Sequence, residues 1–377
     1  MKTILIISFS NLATDPRVNR QIRFLSEEYR VIAAGWADPE IENVQFIPIA
    51  KTEKIFQYTI FPLRLLFRLY ESSYWSQKPV IDSFKKLFGI HADLILANEI
   101  DTLRLALKLA KGAKVIFDAH EYTPREIEDS LFWRIFFQKY KTHLCKIDIP
   151  QMSGMTTVCQ GIADTYEKEF GIKPIVITNA PDFEDLNPNL LDENKRSIRL
   201  IHHGAAGPSR KIENMIKMMD HLDERFELNL MLIEAWPGYL RRLQRLVKGK
   251  PNIHFLPPVP MRTLPRYLNQ FDMGVYILEP TSFNFLHTLP NKFFEFIQAR
   301  LGIAIGPSPE MARIVKEHDL GVVAGDFSPR ALAHCLLELN DQKINYYKLQ
   351  SHKVARLMSA EQNKKILLNL VHQVLQG

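Results

Sequence analysis

Short apolar runs alternate with longer stretches of helical period along nearly the whole chain. Ile4 to Phe9, Arg30 to Gly35 and Val44 to Ile49 each read as a buried strand, because the run is apolar without strict alternation. Asp93 to Ala97, Lys114 to Phe117, Met155 to Val158 and Ile175 to Ile177 continue the series. Between the first two runs, Asp15-Pro16 has the form of a helix cap followed by proline in the first turn, and the helix should last to about Glu28. Another helix should follow the polar loop Asn98 to Thr102 and end near Lys111. Strands alternating with amphipathic helices predict a parallel sheet wrapped by helices.

From Phe183 to Arg196 the chain turns polar and loses its apolar period, as expected of a linker. The pattern then starts again. Leu200 to His203, Glu227 to Ile233, Asn252 to Leu256, Asp272 to Leu278, Gly302 to Ile305 and Gly321 to Ala324 predict a second set of strands. Near the end, Ile366, Leu367, Leu370, Val371, Val374 and Leu375 form an apolar stripe on one helix, which must pack against something. The predicted organisation is α/β throughout: a first Rossmann-like domain over 1–184, a linker at 185–197, a second domain over 198–352, and a terminal helix over 353–377 crossing back to the first.

Chemistry concentrates where strands end, which is where open α/β sheets hold ligands. In the first half, Asp101 follows one strand, and Asp118, His120 and Glu121 follow the next. Asp101, His120 and Glu121 are candidates for binding or acid/base work, although a lone histidine after a strand is more often structural. Arg17 and Arg20 lie in the first turns of the first helix, either solvated or ligand-binding. In the second half, Gly204 to Lys211 places two glycines and two cations, Arg210 and Lys211, between a strand and a helix, which suits an anion cradle. It is neither a GxGxxG nor a Walker loop. The stretch Leu289-Pro290-Asn291-Lys292-Phe293-Phe294-Glu295 puts proline at the expected first helical position, and Lys292 and Glu295 share one face. It is read either as a phosphate site or as an ordinary surface ion pair.

Composition narrows the field. Of 377 residues, 46% are hydrophobic and 24% charged, a globular balance long enough for two domains. Cys145, Cys159 and Cys335 are scattered and form no CxxC pair, which argues for a reducing, cytoplasmic setting and against a structural metal site. No residue is therefore assigned to a metal. The start, MKTILIISFS, lacks a cleavage site and reads as a strand. A net charge of +6 and a pI near 9.0 favour anionic partners. Nucleic acid is not expected, since zinc-finger spacing, an RNP-like motif and a basic tail are all absent from the sequence.

Lys54 to Leu87 mixes Phe56, Tyr58, Phe61, Phe67, Tyr70 and Trp75 with Lys54, Arg64, Arg68, Lys78, Lys85 and Lys86. Two readings compete: core helix with a solvated basic edge, or a surface resting on an anionic membrane from the cytoplasmic side.

Taken together these residues resemble a known family, the two-domain retaining glycosyltransferases of the GT-B fold grouped as glycosyltransferase family 4. The resemblance spans the chain and rests on Asp15-Pro16-Arg17-Val18 with Arg20-Gln21, Glu99 to Leu103, Asp118 to Glu121, Thr157 to Ala163, Asn179-Ala180-Pro181, His203-Gly204, Arg210 and Leu289 to Glu295. It implies two doubly wound domains facing across a cleft, an NDP-sugar donor (UDP- or GDP-sugar) on the second domain, a glycan or lipid-linked acceptor on the first, and no obligatory cofactor. By resemblance, Arg210 takes the place of a diphosphate-binding lysine, helped by Gly204 and Lys211, and Glu295 takes that of the ribose clamp. Amides around Thr288 and Leu289 would meet phosphate or sugar, as would Asn291 and Lys292. Val259 would contact the base, and His120 would lie beside the donor sugar. Two positions depart from the family: His287 replaces its first glutamate and Ala205 its usual arginine. A subset with the LPNK-type helix start tolerates both. The implied activity is metal-independent sugar transfer with retention, of the kind used to assemble cell-envelope polysaccharide or glycolipid. A GT-B epimerase or hydrolase, and a non-catalytic sugar-nucleotide or membrane-surface binding protein, are the alternatives.

Overall fold

A computed structural model describes residues 1–51, 60–192 and 197–377. The chain divides into two compact units. The first comprises Met1–Thr178, Ser282–Asn284 and Asn363–Gly377, and the second comprises Asn179–Thr281 and Phe285–Gln362.

In the first unit seven strands form one parallel sheet: β1 (Thr3–Ile7), β2 (Arg30–Gly35), β3 (Gln45–Pro48), β4 (Leu94–Asn98), β5 (Lys114–Ala119), β6 (Gly154–Thr157) and β7 (Ile175–Val176). Their order is β3-β2-β1-β4-β5-β6-β7. The order reverses between β1 and β4, so their carboxyl ends mark the topological switch point of a doubly wound sheet. Central strands covered on both faces must be apolar throughout, and in β1 Ile4 to Ile7 are all buried. Asp15 caps the Pro16–Ser26 helix, accepting from the Arg17 and Val18 amides at 3.2 Å each.

The second unit repeats the plan with six parallel strands: β8 (Ile198–Ala206), β9 (Phe226–Glu234), β10 (Ile253–Leu256), β11 (Met273–Tyr276), β12 (Gly302–Ile305) and β13 (Gly321–Val323). The order is β10-β9-β8-β11-β12-β13, with the switch point between β8 and β11. One continuous apolar core runs from Leu200 and Leu228 through Val275 to Leu332 and Ile344. Gly274 is required here, because a Cβ would collide with the Phe296 ring of the Asn291–Gln298 helix.

Several local expectations are corrected. The polar loop after β4 is shorter than expected: a helix, Ile100–Leu109, already begins at residue 100. Gly204 and Ala205 belong to β8, which continues to Ala206, instead of to a loop after it. Pro290 is the N-cap, and the helix starts at Asn291. The stretch after residue 59 is three short helices, Ile60–Leu66, Tyr70–Trp75 and Lys78–Leu87, because Arg68 turns into the left-handed region and Pro79 begins a new helix. Lys54, Phe56 and Tyr58 lie outside the described residues.

The final helix, Ala360–Gln376, carries its stripe onto the first unit. Val371 is fully buried, and Leu370 and Val374 pack where Gly154 opens β6. Lys2 Nζ donates to the Leu375 carbonyl at 2.9 Å. Among the described residues no helix is long and apolar enough to cross a membrane. Truncating Leu370 to alanine removes methyl groups from a site that is 6% exposed, so it should cost about 2–4 kcal/mol. A lowered denaturant midpoint with unchanged far-UV circular dichroism is the expected result.

Candidate functional site

The second unit gathers its unusual chemistry at the β8/β11 switch point. The two strands pair only as far as Ile201 and Gly274. Beyond that, His202 turns inward and its Nδ1 donates to the Val275 carbonyl at 3.0 Å, which fixes the tautomer and leaves Nε2 with a lone pair. The ring stacks on Tyr276, centroids 5.5 Å apart. Lys292, in the first turn of the Asn291–Gln298 helix, reaches this pair: its Nζ is 3.4 Å from His202 Nε2 and 4.4 Å from the centre of the Tyr276 ring. The lysine tip passes over Gly204, at φ +124°, where a Cβ would stand 3.2 Å from Nζ. Glycine thus serves both the backbone angle and the close approach.

Arg210 ends the short Pro208–Arg210 turn, its guanidinium 5.1 Å above the Phe285 ring. Among the described residues it has no carboxylate partner. Lys211, at φ 45°, is instead ion-paired to Glu279, so the two cations of this turn are not equivalent. Glu295, one turn along from Lys292 and 8% exposed, places Oε2 3.4 Å from His203 Nε2.

The electrostatics follow from burial. Desolvation, then the charge of Lys292, pushes His203 down to about 3 and holds His202 well below the ordinary imidazole range. Burial and the neighbouring Arg210 lower Lys292 to about 7, with Glu295 opposing. Two neutral imidazoles and two crowded cations make a site that gains by accepting an anion.

Of the other residues named for this site, His287 Nδ1 is 3.3 Å from Oε1 of Glu310, a carboxylate 5% exposed at the start of the Pro309–Glu317 helix. The Thr288 amide is not held open: it donates to the Phe285 carbonyl at 3.4 Å. Leu289 is buried and its carbonyl accepts from Asn179 at 3.5 Å. Asn291 opens the helix, and Val259 lies half-buried in the loop after β10. Sequence reasoning missed His202, Tyr276 and Glu310. The signal for the first was a histidine doublet closing an otherwise apolar strand.

The first unit has its own cluster at the ends of β4 and β5. Asp118 is fully buried and not available for acid/base work. Arg17 grips it through Nε at 2.7 Å and Nη2 at 2.6 Å, Thr156 and Gln21 donate at 2.5 Å each, and Arg17 also reaches the Ile177 carbonyl. Burial alone would raise this carboxyl, but Arg17 holds it far below the usual carboxylate range. Arg17 is therefore a buried structural partner and not a ligand group.

His120 sits between Asp118 (3.1 Å) and Glu99 (3.4 Å). Against its burial, Glu99 and then Asp118 raise its pKa. Glu99 has φ +66°, a conformation costly for a residue with a Cβ, and burial lifts its carboxyl to about 8. Asp101 lies in the first helical turn and is ion-paired to Lys141 at 2.6 Å. Glu121 is exposed, with Asn284 3.5 Å from its carboxylate. Asp101, Glu121 and His120 thus have separate partners, and His120 with Glu99 is the titratable pair.

No protein-family model matches the chain, and no curated protein matches it by sequence. Solved structures do. Sucrose-phosphate synthase from Thermosynechococcus elongatus superposes with a TM-score of 0.73 at 13% identity, covering 100% of both chains. Anabaena HepE in complex with UDP gives 0.69 at 11% identity, covering 99% of this chain and 100% of that one. A TarM variant from S. aureus, in complex with fondaparinux, alpha-GlcNAc-glycerol and UDP, gives 0.58 at 11% identity. The match takes in 80% of this chain and 59% of TarM. With two doubly wound parallel sheets matched along the whole chain, the architecture is the GT-B fold.

The Asp118 network yields a pH-dependent test. Asp118→Asn leaves Arg17 buried without its counter-charge, which should cost about 3–5 kcal/mol at neutral pH. Because the native carboxyl titrates below its unfolded value, its contribution is present above about pH 4 and declines below that. The stability gap between wild type and variant, measured by denaturant titration, should therefore narrow as the pH falls below that point.

Proposed function

We propose that the protein is a glycosyltransferase that uses an NDP-sugar, with the donor diphosphate held at the β8/β11 switch point. The observation that carries this reading is the pairing of Arg210 and Lys292 around neutral His202 and His203, two crowded cations with Glu295 as the carboxylate acting on Lys292. The likeness to HepE bound to UDP supports the choice of a nucleoside diphosphate.

In the proposed reaction the bond between the anomeric carbon and the diphosphate oxygen breaks, and the electron pair leaves with the NDP. Arg210 and Lys292 stabilise the charge that builds on the leaving oxygens, without reorganising to do so. The acceptor hydroxyl bonds to the same face of the anomeric carbon, and its proton passes to the departing phosphate, giving retention without a metal. Glu295 accepts from the ribose hydroxyls, and Lys211 is a secondary cation because Glu279 already engages it. Val259, Asn291 and the Leu289 amide complete the donor site, the Thr288 amide being engaged by the Phe285 carbonyl. The first unit takes the acceptor, a glycan or lipid-linked sugar, near His120 and Glu99. Locked or paired carboxylates at Asp118 and Asp101 weigh against epimerase or hydrolase chemistry.

Product analysis with UDP- and GDP-sugars tests the reading: transfer to an added acceptor supports it, and turnover without acceptor or none at all refutes it. Arg210→Ala should lower kcat/KM by about 100-fold. Activity should survive chelation by EDTA.

A second expectation concerns pH. Lys292 is charged below about 7 and neutral above. The diphosphate of an NDP-sugar keeps its charge across this range, so wild-type affinity should fall between about pH 6 and about pH 9. Lys292→Met should bind more weakly at the lower pH and show little of that slope by calorimetry.

A further inference from the structure

The first unit carries a second basic feature, apart from its switch point. A groove of about 730 Å³ is lined by Arg68, Tyr70, Arg125, Lys139, His143 and Lys146. Lys139, His143 and Lys146 stand four and three residues apart on the Gln138–Asp148 helix and so share one face. Tyr70 and His143 meet across the groove with ring centroids 4.9 Å apart. Arg68, Lys139 and Lys146 have no carboxylate partner among the described residues. Glu169 is the acidic lining residue, and Arg125 is paired with Glu128 at 2.5 Å.

The edge of this groove is apolar. On the Ile60–Leu66 helix, Phe61 and Leu65 point into the core, while Ile60, Leu63 and Leu66 face outward, each 55–57% exposed. Phe67 follows at 75% and Leu69 at 51%, flanking Arg68 itself. The Leu131–Phe136 helix, which touches the first, exposes Leu131, Phe132 and Ile135 around an exposed Arg134. Isolated apolar side chains on a surface need no explanation, but a ridge on two touching helices marks a contact. Basic groove and apolar ridge together fit a layer with anionic headgroups above and hydrocarbon below. A soluble phosphorylated glycan would use the groove and leave the ridge wet. Apart from Glu169 and the Arg125–Glu128 pair, the charges of groove and ridge are basic, which favours anionic lipid over a protein helix of mixed charge.

We infer that this groove takes the phosphate of an anionic lipid headgroup, while the Ile60–Leu66 and Leu131–Phe136 helices rest in the same lipid layer. The inference goes beyond the donor assignment and stands or falls without it.

Sedimentation with vesicles tests it. The full chain should be retained by phosphatidylcholine vesicles containing about one third phosphatidylglycerol, escape pure phosphatidylcholine, and be released at about 0.5 M salt. Lys139→Glu with Lys146→Glu should lower the partition coefficient at least about tenfold. Leu63→Ser with Phe67→Ser should lower it comparably. All four positions are exposed, and unchanged thermal melts of both double variants will show that the fold is kept. Equal retention on neutral and anionic vesicles, no retention on either, or variants retained like wild type would overturn the inference. So would full competition by millimolar glycerol phosphate combined with wild-type retention of the Leu63/Phe67 variant, which identifies a soluble phosphate ligand. A UDP-induced melting shift in the same variants reports separately on the donor site.

Discussion

An ammonium group cannot rest beside a guanidinium and two imidazoles inside a fold unless something lowers the positive charge. In the second unit the adjustment falls on the protein's own protons: both histidines are neutral and Lys292 gives up half its charge near pH 7. Everything around the cluster serves this arrangement. β8 and β11 part company so that His202 can enter between them, the Val275 carbonyl fixes its tautomer, and Gly204 lets the lysine cross the strand. The site is therefore prepared for an anion before one arrives, and the work of preparation is done by burial.

The first unit handles the opposite problem. Its buried charge is negative, and the fold answers with a forked arginine, an amide and a hydroxyl placed around Asp118. A buried pair of this kind contributes little net stability compared with apolar packing, yet it is costly to break. It does fix the direction of His120, whose ring is held between a permanently ionised carboxylate and Glu99, which titrates near 8. One neighbour sets position and the other can exchange a proton.

Architecture was legible because parallel strands covered on both faces must be apolar, and helices between them must show a stripe. Arg30 to Gly35 and Gly302 to Ile305 coincide with the strands found. What pattern could not settle was the direction of polar side chains at strand ends. Asp118 and His120 are two residues apart on the same edge, and only the placement of Arg17, about a hundred residues away in the chain, buries one and leaves the other reachable. Arg210 and Lys211 likewise look alike in sequence, but Glu279 engages one of them. Gly204 read as loop because a strand that continues past a left-handed glycine leaves no local trace.

The chain passes between its two units four times, after residues 178, 281, 284 and 362. This has a consequence for synthesis. A ribosome releases every residue of the second unit before it releases 363–377, the segment that covers Gly154 and buries Val371 in the first. Domains usually complete themselves in the order in which they emerge. Here the unit that begins first is the last to close, and until then it waits with one apolar face uncovered.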